Sequence, residues 1–200
     1  MRTPERTIFG GFQMRIPEVI AVMPTLNSPH PILQNVSPDL WQEGVRNFLH
    51  SAALPIHLVG VGNPLRMDDG VGVFVAKALQ ARIAGVAKRT LKVHDGSGFP
   101  DILLSRLPPD EGLVIFDAVE AGKRPGSIVC ATIRDTRFGF FATHSVPLKL
   151  IPGISERMDG VLMVGIEPQS LDVGEGLSRS VRASADKVVT EILALVEGRE

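Results

Sequence analysis

Gly60-Val-Gly-Asn-Pro-Leu-Arg-Met-Asp-Asp-Gly-Val-Gly72 is the stretch on which the fold turns. An apolar run, Ile56–Val61, enters it, and a helix-period pattern leaves it through Val71, Phe74, Val75, Ala78, Leu79 and Ile83. Between the two lie a glycine-rich turn, the Asn63-Pro64 break and an adjacent carboxylate pair, Asp68 and Asp69. This is the first strand, loop and helix (residues 70–84) of an α/β domain, with two acids where the helix begins. One carboxylate there can cap free backbone amides and gain from the helix dipole. A cap accounts for one acid and leaves the other as a ligand or a base.

Toward the C-terminus the same alternation repeats. Thr90–Val93 is a second short strand that runs into His94-Asp-Gly-Ser-Gly98, and Phe99–Leu107 a short helix stopped by Pro108 and Pro109. Leu113–Phe116 is a third strand ending on Asp117, Ser127–Ile133 a fourth, and Val161–Ile166 a fifth, ending in Glu167-Pro168. Another short helix starts near Thr143-His144-Ser145, and the last begins at Ser178 or Ser180, burying Val181, Val188, Val189, Ile192 and Val196. Continuous Val/Ile/Leu strands alternating with helices predict a mainly parallel five-stranded sheet sandwiched between helices, a three-layer αβα fold. Functional groups of such sheets collect beyond the carboxyl ends of the strands. That places Asn63 to Asp69, His94 to Gly98 and Asp117 on one edge, joined by Glu167 if its strand is parallel to the others. His94 is the better placed of the remaining histidines.

Residues 1–54 differ in character. Six prolines fall in the first 38 positions, and periodicity begins only after Ser37-Pro38-Asp39, which reads as a helix cap with proline at the first helical position. Trp41, Val45, Phe48 and Leu49 then share one helical face. The expectation is a partly disordered N-terminal extension, with a short amphipathic helix near 38–50, ahead of a domain spanning 55–200. The Trp-bearing face docks on the core, on a second subunit or on a partner.

At 200 residues, 44% apolar and 22% charged, the chain can bury a sizeable core. A net charge of −1 without a dense Lys/Arg cluster argues against nucleic acid or an anionic membrane as partner. The single cysteine, Cys130, excludes an intrachain disulfide and any multi-cysteine metal site, and fits a reducing compartment. With no long apolar stretch and no secretory pattern, a soluble cytoplasmic protein is expected.

The glycine-rich loop invites a nucleotide reading that its details oppose. Leu65 stands where a dinucleotide fingerprint needs its third glycine, and two acids at the helix mouth would repel a pyrophosphate. There is no G-x-S-x-G elbow, and Cys130 lies mid-strand, so a serine or cysteine nucleophile has little support. One histidine with two carboxylates from separate loops of one sheet edge can instead form an open, oxygen-rich transition-metal site. Three protein ligands leave positions for water or an incoming group, as metal-assisted hydrolysis requires.

Taken together, the opening stretch, Phe116-Asp-Ala-Val119, Thr143-His-Ser145 and Gly165-Ile-Glu-Pro168 resemble the hydrogenase maturation proteases. These endopeptidases trim the C-terminal tail of nickel–iron hydrogenase large subunits. The resemblance spans about residues 56–198, and Leu171 to Ser178 is similar to the segment before the last helix in a subgroup of the family. By position it assigns the family's metal-binding residues to Asp69, Asp117 and His144. Asp68 is then expected to be a helix-start or supporting residue. The resemblance implies a large-subunit precursor as partner and nickel, supplied by that precursor, as the metal, with other divalent ions able to occupy the site. The loop glycines are expected to bring the backbone close to a metal or a peptide. One mechanism has the metal polarise the scissile carbonyl while Asp69 or Asp117 activates water. The segment after His144 departs from the family, because Pro147, Pro152 and Gly153 shorten or break the helix often found there. A monomer or weak homo-oligomer is expected. The competing functions are a non-catalytic nickel-binding or chaperone protein of hydrogenase assembly with the same fold, and an unrelated metal-dependent hydrolase of a small molecule.

Overall fold

In a computed structural model of the protein, residues 40–83, 91–132, 154 and 160–198 are described. The segments around Ser37-Pro38-Asp39, Gly85 and His144, together with Ile133, Pro147, Pro152 and Gly153, lie outside them. Three strands, β1 (Ile56–Val61), β3 (Gly112–Ala118) and β5 (Val161–Ile166), are buried at every position, as continuous apolar runs covered on both faces must be. With β2 (Leu91–Gly96) and β4 (Ile128–Thr132) they form one sheet in the order β2-β1-β3-β5-β4. Every pairing is parallel except β4 with β5, so the sheet is mainly parallel with one antiparallel edge.

Alternation along the strands divides the core. Ile56, Leu58, Val114, Phe116, Leu162 and Val164 face a layer built by α1 (Leu40–Ser51), α2 (Val71–Ile83) and α4 (Arg179–Glu197). Val59, Val61, Ile115 and Met163 face the other side, where α3 (Pro100–Arg106) contributes Leu104 and where Ile154 also packs. No helix among the described residues is long and apolar enough to cross a membrane.

The apolar face of α1 docks on the protein's own core. Trp41, Val45, Phe48 and Leu49 are buried in the same cluster as α2 and α4, each contributing about 1.5–3 kcal/mol relative to exposure. Gln42 Nε2 donates to Glu191 Oε2 of α4 at 3.0 Å, and Arg46 lies 3.8 Å from the other oxygen.

Two strand ends differ from the sequence expectation. The second strand continues through His94, Asp95 and Gly96, which pair in register with Val59, Gly60 and Val61. His94 is therefore part of the sheet and not of the loop beyond it. The third strand carries Asp117 within its last turn of pairing, opposite Gly165.

Candidate active site

The loop after β1 returns through a 3-10 turn, Met67–Gly70, before α2 begins. Close backbone approach dictates its glycines. Gly62 has φ +130°, and a Cβ there would fall 1.8 Å from the Asp69 carbonyl oxygen. A Cβ on Gly72 would meet the carbonyl oxygens of Phe116 at 2.0 Å and Val61 at 2.4 Å. The first turn of α2 is thus wedged between β1 and β3, and the 3-10 turn packs against β3, which carries Asp117. These glycines allow the loop to close on its own sheet and helix. The space a side chain would need is filled by main-chain oxygens.

Met67, between the loop and the acids, is the only non-glycine with positive φ among the described residues, at 45°. Such a conformation costs on the order of 1–3 kcal/mol and persists where the surroundings over-determine it. Here the surroundings are a second loop, after β5. Met67 N–H donates to the Gly174 carbonyl at 2.8 Å, Gly174 N–H to Leu65 at 2.9 Å, and Asp68 N–H to Ser170 at 3.2 Å.

The adjacent acids have opposite surroundings. Asp68 is fully buried, and its carboxylate accepts from three amides of the β5–α4 loop: Gln169 (2.8 Å) and Ser170 (3.1 Å) at Oδ2, and Ser178 (2.6 Å) at Oδ1. It ties that loop down and does not cap its own helix, which corrects the helix-start expectation. The partners lie more than 100 positions away, beyond the reach of local pattern. Asp69 is 4% exposed; its Oδ2 accepts from Asn63 N–H at 3.2 Å, and its Oδ1 is buried with no hydrogen-bond partner. An uncompensated buried carboxylate oxygen costs more than the roughly 1–3 kcal/mol of a neutral orphan.

Asp117 is 1% exposed, and its Oδ1 accepts from the Ala118 amide at 2.8 Å. Glu167 also reaches the carboxyl edge, but its Oε2 accepts from Ala121 at 2.7 Å and Lys123 at 3.1 Å, binding the loop after β3. The Cys130 thiol is pushed up to about 12 by burial and is a poor nucleophile. His144, the third expected ligand, lies outside the described residues.

His94 belongs elsewhere. Its Nε2 sits 2.8 Å from Nδ1 of His57, and the two rings stack with centroids 5.0 Å apart. His57 Nε2 forms a short contact with Glu111 Oε2, and Lys92 Nζ is 3.6 Å from the same oxygen. Burial first, then the His57 and Lys92 charges, hold His94 below the ordinary histidine range. The hydrogen bond from His57 foremost, helped by Lys92, holds Glu111 low. Sequence reasoning missed this cluster, because its members come from β1, β2 and the turn before β3.

Among the described residues no group of three or more His, Cys, Asp or Glu gathers as a metal site. A divalent cation nevertheless fits what is there. Asp69 and Asp117 are buried oxygen donors at one sheet edge, and Asp69 Oδ1 is an anionic oxygen still lacking a partner. Such an edge can hold a cation and can take a proton from water.

Known proteins with this architecture agree in kind. The family model of the hydrogenase maturation proteases, HycI type, matches residues 73–195, more than half of the chain. The hydrogenase 2 maturation protease of Escherichia coli is 26% identical over 149 residues, covering 70% of this chain and 88% of that protein. The coenzyme F420 hydrogenase subunit delta of Methanothermobacter thermautotrophicus is 29% identical over 147 residues, covering 69% and 92%. In three dimensions the chain is similar to the endopeptidase HycI of Escherichia coli, with a TM-score of 0.57, 26% identity, and coverage of 72% of this chain and 89% of that one. A five-stranded α/β sheet with two buried aspartates at its carboxyl edge is thus set in a chain that belongs to the hydrogenase maturation protease family.

Proposed function

We propose that the protein removes the C-terminal tail of a nickel-loaded hydrogenase large-subunit precursor in the cytoplasm, acting as a monomer or weak homo-oligomer. The observation that carries this reading is the buried, unpartnered Oδ1 of Asp69, on a turn packed against the strand that bears Asp117. Asp69 and Asp117, with His144, would hold the metal. When bound, the nickel of the precursor supplies Lewis-acid polarisation of a carbonyl and a means of recognising a loaded substrate. The chain's own carboxylates do the rest. Asp69 or Asp117 accepts a proton from the attacking water, and the same carboxylic acid returns it to the leaving amine. Asp68 keeps the β5–α4 loop closed over the turn, so the reacting carboxylate stays within reach of the peptide.

The test is to incubate purified protein with nickel-loaded and nickel-free precursor and follow the tail by intact mass. Loss of the tail from the loaded form alone is expected. Because one relative is named as a hydrogenase subunit, the assay also measures complex formation. Tight binding of the loaded precursor or of nickel without any trimming would favour a non-catalytic assembly role.

A further inference from the structure

Asp68 is not the only carboxylate of the carboxyl edge spent on main-chain amides. Glu167, buried at the end of β5, accepts at Oε2 from the Ala121 amide at 2.7 Å and the Lys123 amide at 3.1 Å. Its main chain is engaged too: the Glu167 N–H donates to the Ser127 carbonyl at 2.9 Å, and its carbonyl accepts from Gly126 at 2.8 Å. One residue thus fastens the end of β5 to both ends of the loop that follows Asp117. Register carries this grip back to Asp117 itself. The ladder between β1 and β3 stops at Gly60 and Phe116, so Asp117 is paired from the β5 side alone, opposite Gly165. It stands one residue short of the end of β3, and strand ends are where local opening begins. Just beyond, the Val119 N–H donates to the Ile166 carbonyl at 3.0 Å. A Cβ on Gly165 would fall 2.5 Å from Val119 Cγ2, so buried Val119 lies over β5, and the chain then turns back around the Glu167 carboxylate.

We propose that Glu167 is a positioning residue for Asp117: by holding residues 118–123 against β5, its carboxylate sets where the Asp117 carboxylate stands relative to Asp69. This rests on the reading of Asp117 as a metal-holding or proton-accepting group of a peptide-cutting enzyme. The two clamps share one brace. Gln169 and Ser170, whose amides meet Asp68, follow Glu167 by two and three positions. The turn of Asp69 and the strand end of Asp117 are therefore both fastened to one short run, residues 167–170. Such bracing matters because a displacement of about 1 Å between reacting groups can cost about 10²-fold in rate. Glu167 acts through the main chain of the β3–β4 loop, so an acceptor oxygen at full reach is what the role requires, and a negative charge is not.

The experiment compares wild type with Glu167→Ala, Glu167→Asp and Glu167→Gln, and repeats Glu167→Ala in Asp117→Asn protein. Alanine removes the acceptor, aspartate keeps the charge but shortens its reach by a methylene, and glutamine keeps an oxygen at full length. The readouts are hydrogen exchange at the Ala121 and Lys123 amides, the Kd for Ni²⁺ alone by calorimetry, and processing kinetics on loaded precursor. Alanine and aspartate are expected to speed exchange, raise the Ni²⁺ Kd about tenfold and lower kcat about 10–100-fold, with KM within about twofold. Glutamine is expected to bring all of these back to within about threefold of wild type. In Asp117→Asn protein, Glu167→Ala is expected to leave the Ni²⁺ Kd where it was, because the group it positions is already gone. A lower Tm with Kd and kcat unchanged, an equal rise in Kd with and without Asp117, or no rescue by glutamine would overturn the proposal and leave the protease reading standing. Loaded precursor left uncut by wild type, with the expected Kd pattern intact, would overturn the protease reading and leave the positioning role standing.

Discussion

In the amino-terminal half of the sheet, Glu111, His57 and His94 satisfy one another in a chain, with Lys92 beside the carboxylate. At the carboxyl edge, Asp69 keeps a buried oxygen with no partner while its neighbour Asp68 is saturated by three amides. Both regions bury ionisable groups in one domain, and the difference is completeness. A complete polar cluster holds elements together and gains little from an added ligand. An incomplete one carries a cost that the fold has not relieved, and such a cost is characteristic of a site awaiting a cation, a proton or a substrate.

That contrast can be broken by substitution. The largest expected effect is on turnover: Asp117→Asn lowers processing of loaded precursor by about 10²–10⁴-fold, the usual range for a lost proton-transfer group, as followed by intact mass. Asp68→Ala comes next, through stability. It strands the Gln169, Ser170 and Ser178 amides, and urea titration is expected to show a loss of about 3 kcal/mol, with activity falling only as the β5–α4 loop loosens. His57→Ala is smaller, at about 1–2 kcal/mol in the same titration, and leaves kcat unchanged, because its own ring bonds go to His94 and Glu111 and not to the loops bearing Asp69 and Asp117.

The smallest effect is on pH dependence. His94 is held below its ordinary value of 6.5, so the unfolded chain binds more protons there. Its contribution is complete above pH 6.5 and is lost as pH falls through the folded value. Glu111 is held below 4.5, so its contribution is complete above that and is lost at still lower pH. Tm is therefore expected to be flat above pH 7 and to fall on acidification in two steps. His94→Gln removes the first; an unchanged profile in that variant would remove His94 from the account.

The sheet and its carboxyl edge were legible where burial is two-sided. β1, β3 and β5 are central strands, and their apolar runs ended close to the observed limits. β2 is an edge strand with one flank open, so its apolar pattern stops at Val93 while hydrogen bonding to β1 runs on to Gly96. Asp117 could be placed because a strand end fixes it. Asp68 could be set apart from Asp69 as a supporting residue, but its partners could not be read, because the three amides that hold it come from the β5–α4 loop. For the same reason, His57 and Glu111 showed no local signal.

The central claim is that the incomplete carboxylate is the reactive one. Its most direct test is Asp69→Asn assayed twice on the same sample, for tail removal from nickel-loaded precursor and for thermal stability. Relieving a buried, half-paired charge is expected to leave Tm equal or higher, with loaded precursor still bound weakly and no tail released. Full trimming by Asp69→Asn, matched by full trimming in Asp117→Asn, would contradict the account.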